Sequence, residues 1–227
     1  MILVFDLDDT LYDESQFVRS GFASVSRFLA PALGVSEGNL FARMCLILEK
    51  QGRGRVFDAI MAEHNESGAP SVSKCVEVYR DHTPTIELTN EVRECLRILS
   101  KHFPMYLVTD GDPDVQKRKI AALRLDQYFN GFFPTWSYGL EAGKPSLSCF
   151  NMIRQIENVS WREITYVGDD PHKDFVSLRM VGARTVRIHT GRFANITAAP
   201  GFDAEIHISS FPEILEVLGV EVSHPLE

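Results

Sequence analysis

Three apolar runs in this 227-residue chain stop abruptly at polar groups. Ile2 to Phe5 runs into Asp6. Tyr106 to Val108 runs into Thr109, Asp110 and Gly111. Ile164 to Val167 runs into Gly168, Asp169 and Asp170. A strand that is apolar at every position, rather than at alternate ones, expects burial on both faces. Burial on both faces requires covering layers above and below, which helices supply when strands and helices alternate along the chain. In a parallel sheet built that way, functional groups collect beyond the carboxyl ends of the strands. All three runs end in just such groups.

The alternation extends through the second part of the chain. Helices are expected at Asn90–Lys101, Asp112–Leu123, Ser146–Ile156, Phe175–Val181 and Pro212–Leu218. Strands are expected at Pro104–Val108, Gly131–Trp136, Ile164–Val167, Arg184–Ile188 and Ala204–Ile208. Between Ser15 and Tyr79 the pattern is helical only. Phe17, Phe22, Val25, Phe28 and Leu29 repeat at helical spacing, as do Leu40, Met44, Ile47 and Leu48. Gly34, Gly52, Gly54 and Gly68 mark the breaks between three to five helices. The stretch His82–Asn90 returns the chain to the alternating pattern. The expected architecture is an α/β, doubly wound parallel sheet of Rossmann-like type over residues 1–14 and 87–227, with an all-helical insert over 15–86.

Bulk properties narrow the function. A net charge of −8 disfavours broad binding to nucleic acid or anionic membranes, which want basic surfaces. Cys45, Cys75, Cys95 and Cys149 are far apart and form no CxxC, which reads as reduced thiols in a reducing compartment. The first apolar run lacks a charged leader and meets Asp6 too soon for a signal peptide. No run approaches a membrane span. A cytoplasmic protein, monomeric or homodimeric, is expected. Neither a Walker A loop nor a GxGxxG fingerprint occurs.

The acids after the first strand are the sharpest signal. Asp6, Asp8 and Asp9 crowd one turn. Two like charges about 4 Å apart cost roughly 1 kcal/mol in water and about 4 kcal/mol near a protein surface. A cation and a reaction would offset that. Further along stand VTDG (Val108–Gly111), GKPS (Gly143–Ser146) and GDDPHKD (Gly168–Asp174). DLDDT and these three, in this order, resemble the motifs of the haloacid dehalogenase-like hydrolase superfamily: DxDx[TV], a strand-terminal Ser or Thr, a Lys, and GD followed by a second Asp. The helical insert is similar to that family's C1 cap. The phrase from Val108 to Leu123 resembles a branch with nucleotidase-like and acylneuraminate-phosphatase-like members, and phosphoglycolate phosphatases share the cap type.

The resemblance implies a Mg²⁺-dependent phosphatase acting on a small phosphorylated metabolite. Asp6 would attack phosphorus and form an aspartyl-phosphate. Asp8 would protonate the leaving oxygen and then deprotonate water. Asp6, Asp169 and the backbone carbonyl of Asp8 would ligate Mg²⁺, with Asp174 beside them orienting a metal water or Lys144. Thr109, the amides near Asp110 and Gly111, and Lys144 would bind the phosphoryl group. Relatives that dehalogenate lack the second aspartate of the first motif, so Asp8 argues against that chemistry. A phosphomutase shares every core motif and stays open as an alternative. A phospho-acceptor domain of receiver type fits less well, because it has neither DxDxT nor a long helical insert. A non-catalytic binding relative fits less well too, because the motifs are intact. Among the remaining residues, Asp9 is expected to be solvated or capping, and Thr10 to support the Asp6 loop. Asp170 could compete with Asp169 for the metal. His172 is expected to be an exposed loop histidine. Arg53 and Arg55, at a break in the insert, are possible contacts for a substrate anion.

Overall fold

The computed structural model describes residues 1–64 and 69–221; Gly68, expected at a helix break, lies outside them. Two compact units emerge, one formed by Met1–Glu14 with the chain from Glu87 onward, the other by Ser15–Ile86.

The first unit is built on six strands: β1 (Ile2–Phe5), β2 (Met105–Thr109), β3 (Gly131–Pro134), β4 (Ile164–Gly168), β5 (Arg184–Ile188) and β6 (Ile206–Ile208). All pair in parallel, in the order β3-β2-β1-β4-β5-β6. Every residue of β1, β2 and β4 is buried, as their largely apolar runs require. From β1 the chain steps outward to β2 and β3. It then returns past β1 to β4 and continues to β5 and β6. The winding therefore reverses between β1 and β4, the place where doubly wound sheets open a crevice.

The second unit contains four α-helices among the described residues: α1 (Ser15–Leu33), α2 (Glu37–Gln51), α3 (Val56–Glu63) and α4 (Val72–Asp81). Ser36 and Ser71 cap α2 and α4 by accepting from backbone amides three residues on. Val25, Leu29, Met44, Ile60 and Cys75 form its own buried core.

Helices α5 (Asn90–Leu99), α6 (Pro113–Ala122), α7 (Ser148–Glu157), α8 (Val176–Met180) and α9 (Glu213–Val217) belong to the sheet unit. One face of the sheet packs Val4, Val108 and Tyr166 on Phe150 and Ile153 of α7 and on Leu178 of α8. On β1, Phe5 alternates away from Val4, and its ring meets Phe129 and Phe211, each at a centroid distance of 5.9 Å. Both faces of the central strand are thus covered.

Element ends differ from the sequence expectation where side chains take over backbone partners. The third strand stops at Pro134, and a 3-10 turn follows over Thr135–Tyr138. Strand β6 starts at Ile206, because the amides of Ala204 and Glu205 donate to Asp203 and Thr185 side chains. Helix α7 starts at Ser148, whose amide donates to the Ser146 hydroxyl. Among the described residues, no helix is long and apolar enough to cross a membrane.

Candidate active site

The site assembles at the β1/β4 switch point. The Asp6 amide donates to the Val167 carbonyl at 2.9 Å, so the backbone that carries Asp6 still rides on β4. Asp169 follows the last residue of β4 directly. The next loop folds back until the Asp170 amide donates to Asp174 Oδ2 at 2.9 Å. That return needs Gly168, since a Cβ there would sit 2.5 Å from the same oxygen. One carboxylate oxygen each from Asp6, Asp169 and Asp174 lies within 4.8 Å of the others, and all three residues are buried.

Lys144 enters this cluster. Its Nζ donates to Asp6 Oδ1 at 2.6 Å and to the Tyr166 hydroxyl at 2.9 Å, and lies 2.8 Å from Asp174 Oδ1. The Tyr166 hydroxyl in turn donates to Asp174 Oδ1 at 3.1 Å. Burial opposes the charge of Lys144, but Asp174 and Asp6 outweigh it and hold the ammonium well above the usual lysine range. Burial pushes Asp6 up to about 7 against the pull of Lys144, with Asp174 adding to the rise. Burial pushes Asp169 up to about 9, reinforced by Asp6 and Asp174. Three buried carboxylates share one buried ammonium, a deficit of positive charge that a bound cation would offset. The donors are all oxygen, as a hard divalent ion prefers.

Asp8, two residues from Asp6, has different company. Its Oδ1 accepts from the Tyr12 hydroxyl at 2.6 Å and from Lys119 Nζ at 2.7 Å. Its Oδ2 accepts from Lys119 at 2.7 Å and lies 3.5 Å from Gln116 Nε2. Burial alone would raise the Asp8 carboxyl, but Lys119 and Tyr12 overcome it and hold the group below its ordinary value.

The sequence reading missed Tyr12, Gln116, Lys119, Tyr166 and Lys173. For Lys119 a signal existed. It stands four residues after Val115 and four before Leu123, both buried, so a lysine occupies the core-facing stripe of α6. Tyr166 lies inside an apolar strand and offered no such mark.

Other residues fall as follows. Thr109 is buried at the end of β2. Gly111 takes φ +122°, and a Cβ there would sit 2.7 Å from Gln116 Nε2. The Asp110 carboxylate is occupied. It accepts from the Thr135 hydroxyl at 2.8 Å, the Lys144 amide at 3.0 Å and Lys173 Nζ at 2.6 Å. It thereby ties the Lys144 loop to the end of β2. Asp9 is not solvated: it is buried at φ 56°, accepting from the amides of Glu14 and Arg192, while its carbonyl accepts from the Thr190 hydroxyl. The reason is the loop after β5, which supplies two of those partners. Asp170 stands outside the three gathered acids, because its Oδ1 is taken by the His172 amide and ring at 3.0 and 2.8 Å. His172 itself is 64% exposed at its side chain. The Thr10 hydroxyl reaches Asp169 Oδ1 at 3.5 Å. Arg53 and Arg55 belong to the helical unit, where both are exposed.

Over 223 residues the chain is 25% identical to a glyceraldehyde 3-phosphate phosphatase of Pyrococcus furiosus, covering 96% of this chain and 92% of that protein. Among solved structures, a magnesium-bound hydrolase of this type from Bacillus subtilis superposes with a TM-score of 0.68 at 18% identity, over 96% of this chain and 97% of the other. A 2-haloacid dehalogenase from Pseudomonas syringae gives 0.65 at 24% identity, over 96% and 99%. These two likenesses establish the fold. The model of the haloacid dehalogenase-like hydrolase family matches residues 1–182. With most of the chain inside that match, the protein belongs to the haloacid dehalogenase-like hydrolases.

Proposed function

We propose that the chain is a phosphatase that hydrolyses a small phosphate monoester through an aspartyl-phosphate on Asp6. The observation that carries this reading is the pairing of two unlike carboxylates at one strand end. Asp6 is gripped by Lys144 among acids, and Asp8 is held apart by its own donors. A dehalogenase has no use for the second, since its halide leaves without a proton. The similarity to a glyceraldehyde 3-phosphate phosphatase supports the same class.

The chain's own groups suffice to write the reaction. An Asp6 oxygen attacks phosphorus as the bond to the leaving oxygen breaks, and a proton that Asp8 takes up from solvent as the anionic substrate binds passes to that oxygen to give the alcohol. Water then attacks the phosphorus of the aspartyl-phosphate, Asp8 takes the water's proton, and the bond to Asp6 breaks, restoring both carboxyls. Lys144 offsets charge on Asp6 and on the phosphoryl oxygens. Thr109 and the amides of the Asp110–Gly111 turn receive the remaining phosphoryl oxygens. Positioning and charge stabilisation dominate such transfers. Asp6, Asp169 and the Asp8 carbonyl would hold Mg²⁺, with Asp174 beside them; bound there, the ion draws charge from the phosphoryl oxygens. In this reading the helical unit is the cap that selects the substrate, and Arg53 and Arg55 are candidates for its anion contacts.

Phosphate release across a panel of monoesters tests the reading. The panel should include glyceraldehyde 3-phosphate, phosphoserine, phosphoglycolate, hexose phosphates and nucleoside monophosphates. Release from at least one, absent in Asp6→Asn, is expected. Transfer between two hydroxyls of one sugar without phosphate release would point to a mutase instead.

A further inference from the structure

We propose that Lys119 is a positioning residue that fixes the Asp8 carboxyl for proton transfer; the inference rests on the phosphatase reading. Lys119 is 3% exposed, and a lysine is rarely buried without a specific partner. Its Nζ lies 2.7 Å from both oxygens of Asp8, so it spans the carboxyl rather than touching one edge. Glu14 stands farther off, at 3.9 Å.

The hold continues along α6. Gln116, one turn earlier, donates to the Asp110 carbonyl at 2.8 Å and lies 3.5 Å from Asp8 Oδ2. Asp112 caps the same helix by accepting from the amides of Asp114 and Val115. The helix that carries Lys119 is therefore anchored to the Asp110–Gly111 turn, where the phosphoryl group is to bind. Tyr12 closes the other side of the carboxyl at 2.6 Å.

The donors are distributed unevenly. Oδ1 accepts two short hydrogen bonds, and Oδ2 accepts one, its second neighbour standing beyond good hydrogen-bond length. Oδ2 is the oxygen left to carry the proton. That proton goes to the leaving oxygen as the phosphorus–oxygen bond breaks, and a proton returns to Oδ2 from water in the second half of the reaction. Holding the carboxyl in one orientation removes a search that would otherwise precede each transfer.

The test compares leaving groups. An alkyl phosphate needs a proton on its departing oxygen, and 2,4-dinitrophenyl phosphate does not. With Lys119→Met, kcat on the alkyl ester should fall about tenfold or more beyond the fall on the dinitrophenyl ester, within the range that general acid catalysis supplies. Lys119→Arg should restore part of the difference. In an Asp8→Asn background, Lys119→Met should add less than about a twofold loss, because a positioning residue has nothing left to position. Equal losses on both esters, or additive losses in the double variant, would overturn the proposal while the phosphatase reading stands. Should Lys119→Met fail to fold by circular dichroism, Tyr12→Phe removes one hydroxyl and should show the same split in smaller measure; equal losses there also overturn it. A wild-type chain that releases phosphate from neither ester would overturn the reading and the proposal together.

Discussion

Asp6 and Asp8 sit two residues apart on the same turn, yet their surroundings push them in opposite directions. Around Asp6, burial and neighbouring acids overcome one lysine, and its carboxyl rises to about 7. Around Asp8, one lysine and a tyrosine hydroxyl overcome burial, and its carboxyl falls below the usual value. The difference is one of company. Asp6 shares Lys144 with Asp174, whereas Asp8 has both of its oxygens on Lys119. The same residue type meets two electrostatic settings, fixed by what the rest of the fold brings to each.

The contrast can be broken most severely at Asp6. Asp6→Asn should lower phosphate release by at least about 10³-fold on every monoester, as loss of a nucleophile does elsewhere; a variant within tenfold of wild type would remove Asp6 from the reaction. Lys144→Ala should lower kcat by about 10² to 10³-fold, the scale of losing one preorganised donor. An unchanged kcat would mean that the buried ammonium is structural only.

The thermal behaviour should separate the two neighbourhoods as well. Asp6 and Asp169 have folded-state values raised above that of a free carboxyl, so the stability they lend is complete at low pH. It is lost as pH rises through about 7 and about 9. With chelator present, Tm should fall between pH 5 and 9, by about 2 to 4 °C for each kcal/mol lost. Added Mg²⁺ should raise Tm most at the alkaline end. A Tm in chelator that is flat or rising over that interval would count against the buried acid cluster. Asp8 works the other way, losing its contribution only as pH falls through its depressed value.

Smaller effects sharpen the picture. Lys173→Met should reduce kcat by about tenfold or less, since Asp110 keeps its bonds from Thr135 and the Lys144 amide. His172→Ala should change kcat by less than about twofold, as expected of an exposed side chain whose ring hydrogen-bonds only to Asp170 among the described residues. A large loss there would shift the proton-transfer role away from Asp8.

Much of this was legible in the sequence. Unbroken apolar strands announced a doubly covered parallel sheet, and polar groups at their ends announced where chemistry would collect. What stayed hidden was partnership. Nothing local in ITYVG says that the Tyr166 hydroxyl will face Lys144, because strand residues alternate between faces and the sequence does not name the opposite wall. Asp9 looked like any turn aspartate. Its burial depends on the loop after β5, which reaches it through Thr190 and Arg192. Lys119 was the exception that could have been found, since a lysine on an apolar helical stripe needs a reason to be there.

The reversal of winding at β1 and β4 has a consequence for assembly. Thr10 and Asp169, which meet at the site, are 159 residues apart in sequence. Closing so long a span is slow compared with forming helices and local turns. The constellation therefore forms only once the first strand has found a partner encoded far downstream, and a nascent chain that has not yet delivered β4 holds Asp6 without its neighbours. Assembly of the acid cluster is, in effect, a reporter that β1 has paired with β4.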